Sequence, residues 1–200
     1  MRSVTDGRHY TEALQGFRRL LAQATRRGRA EPTAVVLATA DRRGRCSIRT
    51  VLLKDVSERG LVFFTNARSR KATQLRANPR AAMCCVIEPP DEQALIEGRV
   101  ERIGEEESDA YWATRPRPSQ LAAWASKQSQ PLPRRSILLA RMAHARRVFA
   151  GRAVPRPADW SGFRLIPDRI ELWRRRPFRL HERRLYEKRR GRWTTCALYP

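Results

Sequence analysis

Apolar side chains at Tyr10, Ala13, Leu14, Phe17, Leu20, Leu21 and Ala24 recur at three- and four-residue spacing. That period predicts an amphipathic helix over residues 9–27, lying on a sheet and ended by a run of arginines and Pro32. From there the pattern shortens to that of strands. Residues 33–40 (TAVVLATA) and 46–54 read as a pair joined by a turn at 41–44, followed by strands at 61–65, 80–88 and 94–103. Turns are expected at 57–60 and at Pro89-Pro90-Asp91. Ser69 stands where an N-cap belongs for a short helix over 69–77, which stops ahead of Asn78-Pro79. These make a meander of at least five antiparallel strands, and so many short strands with tight turns predict a barrel.

Three helices are expected next, over 105–114, 119–126 and 135–149, the last with Ile137, Leu138, Met142, Ala145 and Val148 along one side. A proline-rich connector at 154–159 leads back to strands at 162–166, 169–174, 183–187 and 193–198, the last two joined at Arg190-Gly191. The expected class is mainly β with flanking helices: residues 31–200 form one domain and the helix within residues 1–30 packs on it. A chain of 200 residues with 41% hydrophobic content can bury a core of that size.

Composition changes the picture in two places. The formal net charge of +22 would ordinarily point to nucleic acid. The excess is arginine, however, spread over the whole length beside only four lysines (Lys54, Lys71, Lys127, Lys188), so it reads as a preference for Arg over Lys. Nucleic acid is discounted as a partner. Cys46, Cys84, Cys85 and Cys196 form no C-x-x-C pair and have no His at metal-ligand spacing. They are expected to be buried small apolar residues in strands, with no metal site. No apolar run approaches the roughly 20 residues that span a bilayer, and residues 1–10 lack a signal-peptide core, which predicts a cytoplasmic protein with no membrane partner.

Candidate chemistry concentrates in four stretches. In residues 111–129, YWATRPRPSQLAAWASKQS, Tyr111 and Arg115 are four apart and share a face of a helix end, and Ser119 follows a Pro-Arg-Pro break. A phenol, a guanidinium and a hydroxyl converging there suit a phosphate monoester; the alternative is a surface helix end with a solvated arginine. Arg70 and Lys71 fall in the first turn of a helix, where the backbone favours anions. They look misplaced unless an anion sits beside them, or else they are two solvated surface charges. In the strand 46–54, Arg49, Val51 and Leu53 share one face and Thr50, Leu52 and Lys54 the other. Such charges could serve a ligand or protect an edge strand from aggregation. Arg179 and His181, two apart, would share a face of an extended segment and could orient a substrate and help it lose a proton, although a lone His is more often structural.

Taken together, residues 111–129, 49–54 (RTVLLK), 63–71 (FFTNARSRK), Gln93 and 173–183 (WRRRPFRLHER) resemble, in order and spacing over about residues 30–200, the pyridoxamine (pyridoxine) 5'-phosphate oxidases. The resemblance implies an antiparallel FMN-binding split β-barrel that works as a homodimer, each active site taking residues from both chains. It implies FMN bound by Arg49, Thr50, Val51, Leu52, Leu53, Lys54, Phe64, Thr65, Arg70, Lys71, Gln93, Gln128, Ser129, Trp173 and Arg183. Lys54, Tyr111, Arg115 and Ser119 would take the substrate phosphate, with Arg179 and His181 closing over the pyridine ring as the catalytic pair. The implied reaction oxidises pyridoxamine 5'-phosphate or pyridoxine 5'-phosphate to pyridoxal 5'-phosphate, with O2 as acceptor and H2O2 released.

The chain departs from that pattern in places. The family's N-terminal Arg and Tyr have no clear counterpart, since Arg8 and Tyr10 sit too close to the first helix. Arg174-Arg175-Arg176-Pro177 replaces a more neutral linker, and Ala197 stands where a terminal arginine is usual. Pro118 and Ala122 are further, tolerable substitutions. Two rival readings remain: an FMN-dependent oxidase of another ring, of the phenazine type, and a non-catalytic basic nucleic-acid-binding protein on the same fold.

Overall fold

Alternating burial along the strands, visible as every second residue of β4 (Arg80–Ile87) and β5 (Glu92–Arg102) turning inward, builds the sheet around which the chain folds. The computed structural model describes residues 4–88 and 91–200, with the backbone alone for residues 4–6. A helix α1 (Val4–Arg26) precedes β1 (Ala34–Ala40), β2 (Cys46–Ser57) and β3 (Gly60–Asn66); α2 (Arg70–Ala77) leads into β4 and β5. Then come α3 (Glu105–Thr114), α4 (Arg117–Ala125), α5 (Arg135–Val148), β6 (Trp160–Arg174), β7 (Glu182–Arg189) and β8 (Arg192–Leu198).

The strands run in the order β3-β2-β1-β4-β5-β6-β7-β8, all neighbours antiparallel, and β3 also pairs with β6. That last pairing closes β1 to β6 into a six-stranded barrel and leaves β7 and β8 as a hairpin extending from β6. Leu37, Leu61, Phe63, Met83, Ile96, Leu165 and Ile170 fill the interior. The stripe of α1 adds Ala13, Leu14, Phe17 and Leu20, each burial contributing on the order of 1.5–3 kcal/mol for the larger side chains. Tyr10, at its N-terminal end, stacks on Trp193 at 4.8 Å, so it anchors the helix to β8.

Several expectations need correction. Residues 162–166 and 169–174 are one strand of 15 residues, because Pro167 lies where the β5–β6 register shifts between Glu97 and Gly98, and a bulge tolerates a missing N–H. Gly98 is required there: a Cβ would overlap the Ile166 carbonyl. Only Cys85 is buried. Cys84 is half-buried, while Cys46 and Cys196 are exposed, since they occupy outward positions at a strand end and on the edge strand β8. The apolar side of α5 is only partly covered. Ala145 is buried, Leu138 and Met142 are half-buried, and Ile137 and Val148 stay exposed, because α5 packs mainly on α4. The turn expected at Pro89-Pro90 lies outside the described residues, as do residues 1–3.

Much of the arginine excess is absorbed by main-chain carbonyls. Arg141 Nε donates to Ala125 O at 2.5 Å and Arg117 donates to Arg152 O at 2.8 Å and to Phe149 O, so α4 and α5 cap each other's C-terminal ends. Arg18, Arg29 and Arg76 likewise donate to Val56 O, Val86 O and Ala67 O. Among the described residues, no helix is long and apolar enough to cross a membrane.

Candidate active site

Ser69 is the N-cap of α2, its Oγ accepting from the Ala72 N–H, and the first turn holds Arg70 and Lys71 with no acidic residue. Lys71 is only 7% exposed. Its Nζ donates to Thr65 Oγ1 at 3.0 Å and to Gln128 Oε1 at 3.3 Å. Beside it, Arg49 donates to Thr39 Oγ1 at 2.6 Å, Leu37 O at 3.3 Å and Ser47 Oγ. Among the described residues, no carboxylate pairs with Arg49, Arg70 or Lys71. Burial, and then the charge of Arg49, push the Lys71 ammonium from its ordinary 10.5 down to about 8. Burial and the charge of Arg70 lower Arg49 in turn. A buried cation is normally paired, so the buried Lys71, with the half-buried Arg49 and the exposed Arg70 beside it and hydroxyls and amides around them, makes a receptor for an anion of phosphate type. Gln128 ties the recess to the helical region. Its Oε1 also accepts from Thr65 Oγ1 at 2.8 Å and from the Asn66 N–H at 3.3 Å, and Ser129 beside it turns the chain with a φ of 69°.

Along β2 the expected alternation holds, with Val51 and Leu53 buried in the core, Thr50 and Lys54 exposed and Leu52 between them. β2 pairs with β3 only from Leu53 onward, so residues 46–52 have no strand partner on that side and keep a main-chain edge for a ligand. The register shifts again between Leu53 and Asp55, at Lys54.

A wall of stacked aromatic rings adjoins this edge. Phe64 stacks on Tyr111 at 4.2 Å and on Trp160 at 4.8 Å, and Trp112 meets Trp160 edge-on at 4.9 Å. Gly162 faces Phe64 across the β3–β6 pair. A Cβ at Gly162 would overlap Ile103 and come within 2.7 Å of the Phe64 ring. The Arg115 guanidinium lies 4.9 Å from the Trp160 ring and donates to Ser119 O at 3.2 Å, while its Nε is buried with no partner. Lys54 Nζ is 6.0 Å from the Tyr111 ring centre. The structure thus brings Lys54, Tyr111, Arg115 and Ser119 together, with a guanidinium that has donor capacity to spare.

Gln93, Trp173 and Arg183 form a second group. They are lateral neighbours on β5, β6 and β7, and the Trp173 ring lies 4.7 Å from that of His181. Arg183 is held by Glu171, at 2.7 and 3.1 Å, and by Tyr199 O at 3.0 Å. An open cleft of about 970 Å³ runs past Gln93, Trp173, Arg179 and His181. Arg179 and His181 do not share a face of an extended segment. Pro177–Arg179 is a short 3-10 turn closed by Leu180 N–H to Pro177 O at 3.1 Å, with φ of 56° at Phe178 and 63° at Arg179, and the His181 N–H turns back to Arg179 O at 2.9 Å.

Trp173 and Trp160 lie near opposite ends of β6, roughly 40 Å of extended strand apart. One chain therefore gathers its candidates into two groups. Sequence reasoning missed the support of each: Thr39, Ser47 and Gln74 around Arg49, Trp112 and Trp160 in the aromatic wall, and Glu171 under Arg183. Thr39 and Ser47 are cross-strand partners, and Thr39 is the one hydroxyl in the otherwise apolar strand β1, which was the available signal.

Residues 21–149 match the family model described as pyridoxamine 5'-phosphate oxidase, and residues 160–200 match that of the pyridoxine 5'-phosphate oxidase C-terminal dimerisation region. A pyridoxine/pyridoxamine 5'-phosphate oxidase of Myxococcus xanthus (strain DK1622) is 49% identical over 94% of this chain and 92% of its own length. One from Rubrobacter xylanophilus is also 49% identical, over 94% of this chain and 87% of its own. Among solved structures, PhzG from Burkholderia lata 383, in complex with tetrahydrophenazine-1-carboxylic acid, superposes with a TM-score of 0.86 at 34% identity, covering 92% of this chain and 90% of that one. A pyridoxamine 5'-phosphate oxidase-related, FMN binding protein from Nostoc punctiforme shares the fold at a TM-score of 0.71 and 20% identity. With one family model covering more than half of the sequence, a second covering its last strands, and full-length relatives at near-half identity, the chain belongs to the pyridoxamine 5'-phosphate oxidase family of enzymes.

Proposed function

We propose that this enzyme binds FMN and oxidises pyridoxamine 5'-phosphate and pyridoxine 5'-phosphate to pyridoxal 5'-phosphate, with O2 as the acceptor and H2O2 released, the amine substrate also consuming water and releasing ammonia. The observation that carries the reading is the pair of anion receptors a few side chains apart, one built on Arg49, Arg70 and Lys71, the other on Lys54, Tyr111, Arg115 and Ser119. Flavin mononucleotide and a phosphorylated pyridine each end in a phosphate, and two such tails need two cradles. The cation recess lacks a carboxylate among the described residues, and the Arg115 Nε lacks any partner, so both fit a phosphate. Arg49, Arg70 and Lys71 would hold the FMN phosphate, with Phe64, Thr65, Gln128, Ser129 and the open edge of residues 49–54 along the rest of the cofactor. When bound, FMN would supply the acceptor for the hydride, with its two electrons, that leaves the substrate's C4' carbon, and those two electrons would pass on to O2.

The protein's own part is retention and orientation. Lys54, Tyr111, Arg115 and Ser119 would fix the substrate by its phosphate, each charge-assisted bond contributing ~1.5–3 kcal/mol. Arg179 and His181 would press on the pyridine ring, and Gln93, Trp173 and Arg183 would complete the flavin site. Because the two groups lie at opposite ends of β6, a homodimer would join the first group of one protomer to the second group of its partner. Side chains left in water support a second copy: Ile48 on β2 is 71% exposed, Phe178 93% and Leu180 67%.

Purified protein should be yellow and release peroxide on addition of pyridoxamine 5'-phosphate. Colourless protein with salt-sensitive affinity for RNA or DNA would replace this reading with the nucleic-acid one. Flavin turned over only by a tricyclic ring would replace it with the phenazine-type one.

A further inference from the structure

The loop between β6 and β7 is pinned at its base by three consecutive arginines, each with a different acidic partner. Arg174 Nε donates to Glu92, a carboxylate 4% exposed on β5. Arg175 is held twice by Asp91, through its main-chain N–H to Asp91 O at 2.9 Å and through its guanidinium to the carboxylate. Arg176 grips Glu182, at the start of β7, with both Nε and a terminal nitrogen at 2.9 Å. Its main-chain N–H donates to His181 Nδ1 at 3.2 Å. A neutral imidazole that accepts at Nδ1 must carry its proton at Nε2. The same loop spends two successive residues, Phe178 and Arg179, at positive φ, which costs on the order of 1–3 kcal/mol per residue. Such backbone persists only where its surroundings over-determine it.

We propose that Arg174, Arg175 and Arg176, with Glu92, Asp91 and Glu182, form a clamp of positioning residues. It holds the loop of Arg179 and His181 in one preset shape and keeps His181 as an Nε2–H donor toward the substrate. Its relevance to turnover rests on the reading above that Arg179 and His181 meet the pyridine ring. Removing two of the acidic partners releases the turn, and His181 then exchanges between its two tautomers. The acidic partners stand outside the binding groups named above. Arg175 and Arg176 are largely exposed, so no single pair suffices and the effect should appear when two are cut together.

The test compares the flavin-loaded wild type with the double variant Asp91→Asn, Glu182→Gln. The chain has three histidines, so imidazole ¹⁵N spectra assign His181 by its loss in His181→Asn. The wild type should show a protonated Nε2 and a bare Nδ1 at His181. In the double variant flavin content should be unchanged, the His181 signals should average between tautomers, and kcat should fall threefold to tenfold. The swapped pair Arg176→Glu, Glu182→Arg, placed on the Asp91→Asn background, should return both, which separates positioning from a general loss of fold. A double variant with an unmoved His181 tautomer and wild-type kcat overturns the clamp, as does a wild-type His181 protonated at Nδ1. Wild-type protein that shows the expected tautomer but oxidises no vitamer leaves the clamp standing and removes the proposed reaction instead.

Discussion

Burial first, and the neighbouring Arg49 guanidinium second, drive the Lys71 ammonium toward its neutral form, and no carboxylate among the described residues offsets the repulsion between Lys71 and Arg49. With Lys71 near 8 in the folded protein and 10.5 as its ordinary value, the unfolded chain binds the extra proton between those two values. Stability of the ligand-free protein should therefore rise with pH from about 8 toward 10.5, while below 8 the cost of burying the charged ammonium is fully present and does not change with pH. An anion in the recess reverses the bias and restores the proton. FMN binding should take up part of a proton at pH 8.5 and none at pH 6.5, as read by calorimetry in buffers of different ionisation enthalpy. Equal proton counts at the two pH values would show that the phosphate lies elsewhere.

Arg115 works by shape as well as charge. Its planar fork lies over Trp160 while donating to the Ser119 carbonyl, and an ammonium, a point charge without the fork, cannot make both contacts and still offer a second donor to a phosphate. Arg115→Lys should raise KM for pyridoxamine 5'-phosphate by about tenfold or more, the equivalent of one charge-assisted bond, with flavin content unchanged. A matching loss of flavin would move Arg115 into the cofactor site.

Gly162 links the barrel to the aromatic wall. A methyl group at Gly162 collides with Ile103 and the Phe64 ring, on which Tyr111 stacks. Overpacking of this kind costs roughly 1–3 kcal/mol. Gly162→Ala should lower Tm by several degrees and raise KM for the phosphorylated substrate, whereas a fall in Tm with unchanged KM would mean that the Phe64–Tyr111 stack does not shape the substrate site.

The division of candidates between the two ends of β6 makes complementation informative. Arg115→Ala and Arg179→Ala chains should each be inactive alone. Refolded together, they should give mixed dimers with one intact site of two, since the good halves meet across the interface. Mixtures as dead as their parents would place a whole site within one chain.

The strand positions and the α1 stripe were legible because burial on one face imposes a period that the sequence displays, and Ser69 signalled the start of α2 through its capping chemistry. The strand order was not, since β1 pairs with β4 and β3 closes on β6 where a meander would pair strands in sequence. The four motifs were legible as residue types, and Lys54, Tyr111, Arg115 and Ser119 do converge. The β6–β7 loop was misread because R-x-H spacing gives a shared face only in extended backbone, and a hydrogen-bonded turn at Pro177 overrides it. The exposed side of α5 and the exposed Cys46 and Cys196 were missed for another reason. Periodicity and residue type state what a face prefers, whereas only tertiary packing states whether anything covers it.

The most direct measurement is flavin reduction in the absence of oxygen, followed by the loss of its yellow absorbance. Pyridoxamine 5'-phosphate should bleach the bound flavin rapidly, while pyridoxamine without its phosphate should do so at least a hundredfold more slowly at the same concentration, since it leaves Lys54, Tyr111, Arg115 and Ser119 with nothing to hold. Equal bleaching by the two compounds, or none by either, would contradict the account.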